Sequence, residues 1–257
     1  MTKRVISVFL CVLCVISSIS FIVSAKENKE YTSDNFLSVA DGIIAWKKAD
    51  NGSEPDGYLI NDKYLENAGT TPGDWYPIAL GRLGIQDNNE GYLAVIKDRV
   101  EERYRESGRL SAAKATEWHR IALAVLAMGG DPTNFGTDEN GAPINLIADG
   151  TYDRGKTTPL GRQGINGWIW GLITLDSMRY AVPDGAYNTR DDIIVEIISK
   201  QLSDGGFALS SDDADPDITA MAITALAPYY NSEKIYSYHR KALSADESKT
   251  VHEVVDE

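Results

Sequence analysis

QLSDGGFALSSDDADPDITAMAITALAPYY, residues 201–230, holds one whole structural unit with its joints exposed: a loop that feeds a helix. Asp204, Gly205 and Gly206 carry turn chemistry, because glycine takes a positive φ without a Cβ clash, and Phe207 behind them reads as an apolar plug. Asp215, Pro216 and Asp217 predict a helix start, with proline tolerated in the first turn and acids facing amides that have no partner inside the helix. Ile218, Ala220, Met221, Ala222, Ile223, Ala225, Leu226 and Ala227 leave no clear polar face. Such a helix is expected to be buried on most sides and to stop at Pro228.

The pattern recurs upstream. DWYPIALGRL from Asp74, EWHRIALAVL from Glu117, NGWIWGLITL from Asn166 and DITAMAITAL from Asp217 each open on an acid or amide. Each places a small residue five positions later (Ala79, Ala122, Gly171, Ala222) and continues in aliphatics. The starts lie 43, 49 and 51 residues apart, a spacing that fits helical-hairpin repeats. The small residue lets neighbouring helices approach closely; its plainer reading is good helix propensity.

Between these segments the sequence predicts one-sided helices. In residues 89–107, Tyr92, Ile96, Val100 and Tyr104 recur every fourth position while charged side chains fill the rest. Thr189 and Asp192 resemble a capping box opening a helix through Ile193, Ile194, Ile197, Ile198 and Leu202. A short outer helix is expected at residues 144–147, and residues 35–48 form a plausible first helix with Asp34 as its cap. Gly84 closes the first buried-type helix, and Gly129-Gly130 the second. All-buried and one-sided helices therefore alternate, as two layers require. Past Tyr230 a polar piece leads to Val251, where an amphipathic pattern begins and breaks off.

Residues 1–25 stand apart. Lys3 and Arg4 precede an uncharged apolar run over residues 5–23, and small residues around Ala25 offer a cleavage point, so a secretory signal peptide is expected. An uncleaved membrane anchor is the rival reading of that run. A lipoprotein fits less well, because Cys11 and Cys14 come too early. Residues 26–34 read as a linker and residues 35–257 as the helical domain. The mature chain would be extracellular or on the cell surface, without a membrane span and without cysteine, which excludes disulfides, thiol nucleophiles and thiolate metal sites. Loss of Lys3 and Arg4 takes the formal charge from −13 to −15, which argues against nucleic acid as a partner.

The segments GDWYPIALGRLG, KATEWHRIALAVLAMGGDP, QGINGWIWGLITLDS and residues 201–230 resemble the α/α-toroid superfamily over about residues 35–231. That superfamily includes squalene cyclases, protein prenyltransferase β-subunits and cobalamin carriers. The resemblance is closer to its secreted bacterial branch, the prenyltransferase/squalene-oxidase-repeat surface proteins. It implies an all-α fold of helical hairpins in two concentric layers. A closed ring of this kind uses about six hairpins, and this sequence shows about four and a half, so an incomplete ring or one completed by a further segment or chain is expected.

In such a ring the inner helices run parallel and their amino ends meet at one mouth. The residues placed there are Asp74, Trp75, Tyr76, Glu117, Trp118, His119, Asn166, Trp168, Trp170, Asp215, Asp217 and Thr219. Acids with aromatics around a concavity suit a ligand that is partly apolar, and the resemblance to cobalamin carriers brings a corrinoid among the alternatives. Helix capping for the acids and core packing for the tryptophans is the plainer reading. Asp215, Asp217, Thr219 and Ala220 are similar to the acid motif of protonation-initiated cyclases, with Asp217 as the proton donor and Asp215 as its neighbour. Ile218 stands where that motif has a third acid, which leaves the donor short of a hydrogen-bonding partner. The zinc site of the prenyltransferases is absent, since His119 is the only histidine within the repeats. Acidic loops at residues 212–217 and 50–56 offer oxygen ligands for calcium but lack the spacing of an EF-hand. The sequence therefore predicts a binding module rather than an enzyme.

Overall fold

The computed structural model describes residues 32–154 and 159–257. The leader expected at residues 1–25, and the linker up to residue 31, lie outside the described residues. The chain divides into two units, Met1–Lys47 and Lys48–Glu257. Helix α1 (Ser33–Asn51) carries the chain from one into the other. Thr32 Oγ1 accepts the Asn35 N–H at 3.3 Å, so Thr32 holds the start of α1 and the expected cap, Asp34, sits in its first turn. Phe36, Leu37, Val39, Ile43 and Trp46 along α1 are exposed. No helix among the described residues is long and apolar enough to cross a membrane.

The second unit is predominantly helical. In chain order it contains α2 (Asp62–Leu65), α3 (Thr71–Leu83), α4 (Asn89–Ser107), α5 (Thr116–Ala127), α6 (Leu146–Gly150), α7 (Ile165–Asp176), α8 (Arg190–Ile198) and α9 (Pro216–Leu226). A hairpin of β1 (Tyr236–Arg240) and β2 (Ala245–Lys249) follows, then α10 (Val251–Val255). The four repeated segments are α3, α5, α7 and α9, and they stand in a row in which each packs on the next. Arg120 near the start of α5 bonds to Thr71 and Asp74 in the first turn of α3, while a Cβ on Gly81 near the end of α3 would lie 2.1 Å from the Ala127 carbonyl oxygen at the end of α5. The two helices therefore run in the same direction with their backbones touching. At the far end of α7, Asp176 accepts the hydroxyl of Tyr229, which follows α9.

Burial follows position in the row. α5 and α7, with neighbours on both sides, bury residues around most of their circumference. α9 does not: Ile218, Ala222, Ala225 and Leu226 are buried, but Ala220 and Thr224 are exposed and Ile223 is 40% exposed. The all-round burial expected from its composition is thus corrected. A helix last in the row has a partner on one flank only, and an alanine-rich helix tolerates that because each exposed Ala leaves little apolar surface in water.

The helices between the repeats are α4, α6 and α8. Helix α4 buries Tyr92, Ile96, Val100 and Tyr104 and matches the expected span. Helix α6 packs on α5 and α8 on α7. The Thr189–Asp192 capping box forms, and α8 ends at Ile198, short of the expected Leu202. The short outer helix is Leu146–Gly150, which takes in Leu146 and Ile147 of the residues expected to belong to it and leaves Ile144 and Asn145 before its start. Gly84 ends α3 with φ +69° and accepts the role no side chain with a Cβ takes as readily.

Helix α3 has a proline inside it. Pro77 has no N–H to give to the Gly73 carbonyl four residues back; the Tyr64 hydroxyl donates to that oxygen at 3.0 Å instead. The segment after Tyr230 differs most from expectation. It forms an antiparallel hairpin in the register Tyr236↔Lys249 to Arg240↔Ala245, with Tyr236, Tyr238 and Arg240 turned inward and Ser237 and His239 outward. Strand β1 rests on α8, and Arg240 donates to the Gln201 and Leu202 carbonyls.

Candidate functional site

The amino ends of α3, α5 and α7 meet around a cleft of about 200 Å³ lined by Thr71, Trp75, Lys114, Thr116, Glu117, Arg120, Gln163, Asn166 and Trp170. Its floor is an ion-pair cluster centred on Arg120, which is 7% exposed. Arg120 Nε donates to Asp74 Oδ2 at 2.8 Å; Nη1 donates to Glu117 Oε1 at 2.8 Å and Thr71 Oγ1 at 3.2 Å. Nη2 donates to Glu117 Oε2 at 3.0 Å and to the Gly69 carbonyl at 3.2 Å. A guanidinium has five N–H donors, so this one is fully used and fixes three chain segments instead of waiting for a ligand.

Asp74 is buried completely and also accepts the Tyr92 hydroxyl and the Gly69 N–H, each at 2.7 Å. Burial pushes its carboxyl above the ordinary value, against the pull of Arg120 and Tyr92. Burial acts on Glu117 in the same sense, but the hydrogen bonds and charge of Arg120, with Arg103 at 3.4 Å, outweigh it and hold Glu117 below the usual carboxylate value. Above this floor stand Trp75 and Trp170, ring centres 5.5 Å apart and planes tilted by 58°. Trp75 is 42% exposed, so the pair forms an open apolar wall. Asn166 Oδ1 is buried with no hydrogen-bond partner, and the Lys114 side chain is exposed.

Of the residues placed at the mouth from sequence, Trp75, Glu117, Asn166 and Trp170 line this cleft and Asp74 supports it. Trp118 does not reach it. Its indole is buried, donates to the Tyr104 hydroxyl at 2.7 Å and lies under Arg154 at 4.7 Å, on the side of α5 that meets α4. His119 is completely buried and bonds through Nε2 to the Gly150 carbonyl at 2.7 Å, and burial pushes it down to about 3, so it is neutral core. Trp168 turns toward Gly161, where a Cβ would come 2.7 Å from the indole nitrogen. Tyr76, half-buried, meets the buried Tyr64 edge-on, 6.4 Å between ring centres.

The fourth amino end stays away from the cleft. Asp215 caps α9, its Oδ1 accepting from the N–H groups of Asp217 and Ile218 at 2.8 and 3.0 Å. Thr219 Oγ1 accepts the Phe207 N–H at 2.9 Å and so ties α9 to the buried Phe207 plug. The Asp217 side chain is exposed to water, where no enclosed neighbour strengthens it as an acid. Among the described residues no three histidine, cysteine or acidic side chains gather closely enough to share a metal ion.

Sequence reading missed Arg120, Lys114, Gln163, Thr71 and Thr116. Arg120 had a signal: it is the one charged residue inside an otherwise apolar run, three positions after Glu117. Gln163 had none, because its role, accepting from Thr116 N and Oγ1 at 3.3 and 3.1 Å, spans 47 residues. No protein-family model, no curated protein and no solved structure matches this chain.

Proposed function

We propose that the chain is a non-catalytic binding module of the α/α-toroid type, acting outside the cell, and that the cleft at the amino ends of α3, α5 and α7 holds a small, partly apolar ligand. The toroid reading is supported by the side-by-side row of repeated helices and by the packing of α6 on α5 and of α8 on α7. The extracellular reading rests on the leader-like residues 1–25. The observation that carries the binding reading is the pairing of an open tryptophan wall, Trp75 with Trp170, with a buried and unpartnered Asn166 Oδ1 on the same cleft. A buried acceptor without a donor costs about 1–3 kcal/mol, and a ligand N–H or O–H removes that cost. The cleft is smaller than the roughly 300–1,000 Å³ typical for drug-sized ligands, so it suits a ring-sized group, and a corrinoid would enter it by an edge alone.

Non-catalytic is the reading because the polar groups of the floor are committed to one another. Native mass spectrometry of the full chain, secreted and purified without refolding, is expected to show an added small mass that the Trp75→Ala variant lacks. A chain that carries no such mass, and whose Trp75 and Trp170 indole resonances ignore a library of ring-sized fragments, would sink the reading.

A further inference from the structure

The cleft has a particular chemical asymmetry. The aromatic wall is on α3 and α7, the unpartnered acceptor Asn166 Oδ1 is on α7, and the cation Lys114 stands just before α5. The other acids and bases of the floor cancel locally, since Arg120 binds Asp74 and Glu117, and Glu117 also faces Arg103. Lys114 makes no ion pair among the described residues, and so it is the uncompensated charge of the cleft. Of the three helices that meet here, α3 and α7 have no side-chain cap, whereas the Thr116 N–H at the start of α5 is already taken by Gln163 Oε1. The amino ends of α3 and α7 add partial positive charge of up to about half a unit each in the same direction as Lys114, that of α3 being set against Asp74 in its first turn. A protein of net charge −13 thus presents a locally positive cleft.

These features select among ring-sized ligands. A quaternary ammonium or another cation would gain from the indoles but meet Lys114 and the uncapped amino end of α7. A purely apolar ring would leave Asn166 Oδ1 unpaired. A neutral hydroxylated ring satisfies Asn166 but leaves Lys114 unused. A hydroxylated ring that also bears a carboxylate uses every element: its C–H face covers the tilted tryptophans, a ring hydroxyl donates to Asn166 Oδ1, and the carboxylate faces Lys114.

We propose, on the footing of the binding reading above, that this cleft recognises a single uronic-acid residue, the acidic sugar ring of a glycan. The experiment titrates the full chain with galacturonic acid, with galactose as the neutral match, and with indole as an apolar ring without hydroxyls, following the tryptophan indole N–H resonances. Galacturonic acid is expected to shift Trp75 and Trp170 saturably while Trp118 and Trp168 stay still, and to bind more tightly than galactose. Trp75→Ala and Asn166→Ala should each weaken it roughly tenfold, and Lys114→Gln should abolish the preference for the acid over galactose. Equal response to the two sugars, or a preference that survives Lys114→Gln, overturns the acidic-sugar assignment. Response to indole alone overturns it too while leaving the cleft a binding site, and silence with all three probes removes both readings. Trp75 is exposed at the edge of the wall and Lys114 is exposed, so neither variant should disturb folding.

Discussion

Arg120 shows how much one side chain can decide. Its five donors bind Asp74, Glu117, Thr71 and the Gly69 carbonyl, and so join α3, α5 and the loop before α3. Arg120→Met would leave the fully buried Asp74 carboxylate without its counter-charge, which typically costs about 3–5 kcal/mol. A thermal melt should fall by about 10 °C, and Arg120→Met combined with Asp74→Asn should recover much of it, because the stranded charge is then gone. A double variant no better than the single one would mean that the pair is a minor part of the packing. His119 makes a second prediction at this scale. Burial holds its folded-state pKa at about 3, below the ordinary 6.5, so above pH 6.5 both folded and unfolded states are neutral and pH changes nothing. As pH falls below 6.5 the unfolded chain takes a proton that the folded one refuses, and stability drops by about 1.4 kcal/mol per pH unit toward pH 3. Denaturant melts of wild type and His119→Gln between pH 7 and 4 should therefore diverge, the variant keeping the flatter profile. Parallel profiles would show that His119 titrates freely.

At the scale of elements, α3 depends on a bond that its own sequence does not contain. Pro77 frees the Gly73 carbonyl and the Tyr64 hydroxyl of α2 takes it. Tyr64→Phe leaves that carbonyl buried and unpaired at a cost of about 1–3 kcal/mol, so the midpoint of a urea melt should shift to lower urea with its slope unchanged. An unshifted midpoint would mean that water replaces the hydroxyl. Helices of this kind were legible in the sequence in proportion to how local their signals are. The four repeats, the one-sided face of α4, the glycine stop at Gly84 and the Thr189–Asp192 box all lie within a few residues of what they determine. The cleft was legible in part. Trp75, Glu117, Asn166 and Trp170 sit at the expected amino ends, but Trp118 and His119, adjacent to Glu117, point to the other side of the same helix. Successive helix residues differ by about 100° around the axis, and a reading that places whole amino ends at a mouth cannot separate them. Helix α2 is four residues long and carries no period to read. The hairpin did carry one, Tyr236, Tyr238 and Arg240 alternating with Ser237 and His239, but its polar composition hid an alternation of period two.

At the scale of the second unit, the hairpin and α10 are part of the packing. Arg240 is 2% exposed, donates to the Gln201 and Leu202 carbonyls after α8, and binds Glu257 at 2.6 Å. Gln201 Nε2 in turn donates to the Val254 carbonyl at 2.7 Å, so the loop that begins residues 201–230 is held from the carboxyl side by two separate segments. That loop carries the Phe207 plug and the Asp215 cap, which set the start of α9. An interaction net of this kind couples the last helix of the row to a sheet that the repeat pattern does not include. Arg240→Ala removes a buried side chain and leaves the Gln201 and Leu202 carbonyls without their donor, while Glu257 keeps Lys249; the loss is about 2–5 kcal/mol, at about 1–3 for each buried group left unpaired. If the row, the outer helices and the hairpin fold as one cooperative unit, far-ultraviolet and near-ultraviolet circular dichroism should still melt together in this variant, about 10 °C lower. Should the hairpin be an independent appendage, the two signals separate: helix content would melt as in wild type, and hydrogen exchange would show early opening confined to residues 233–257. The first outcome makes the amino-end cleft and the carboxyl-terminal sheet members of a single folding unit even though α8 stands between α7 and the sheet, so a ligand held between Trp75 and Trp170 would raise the melting of both signals equally.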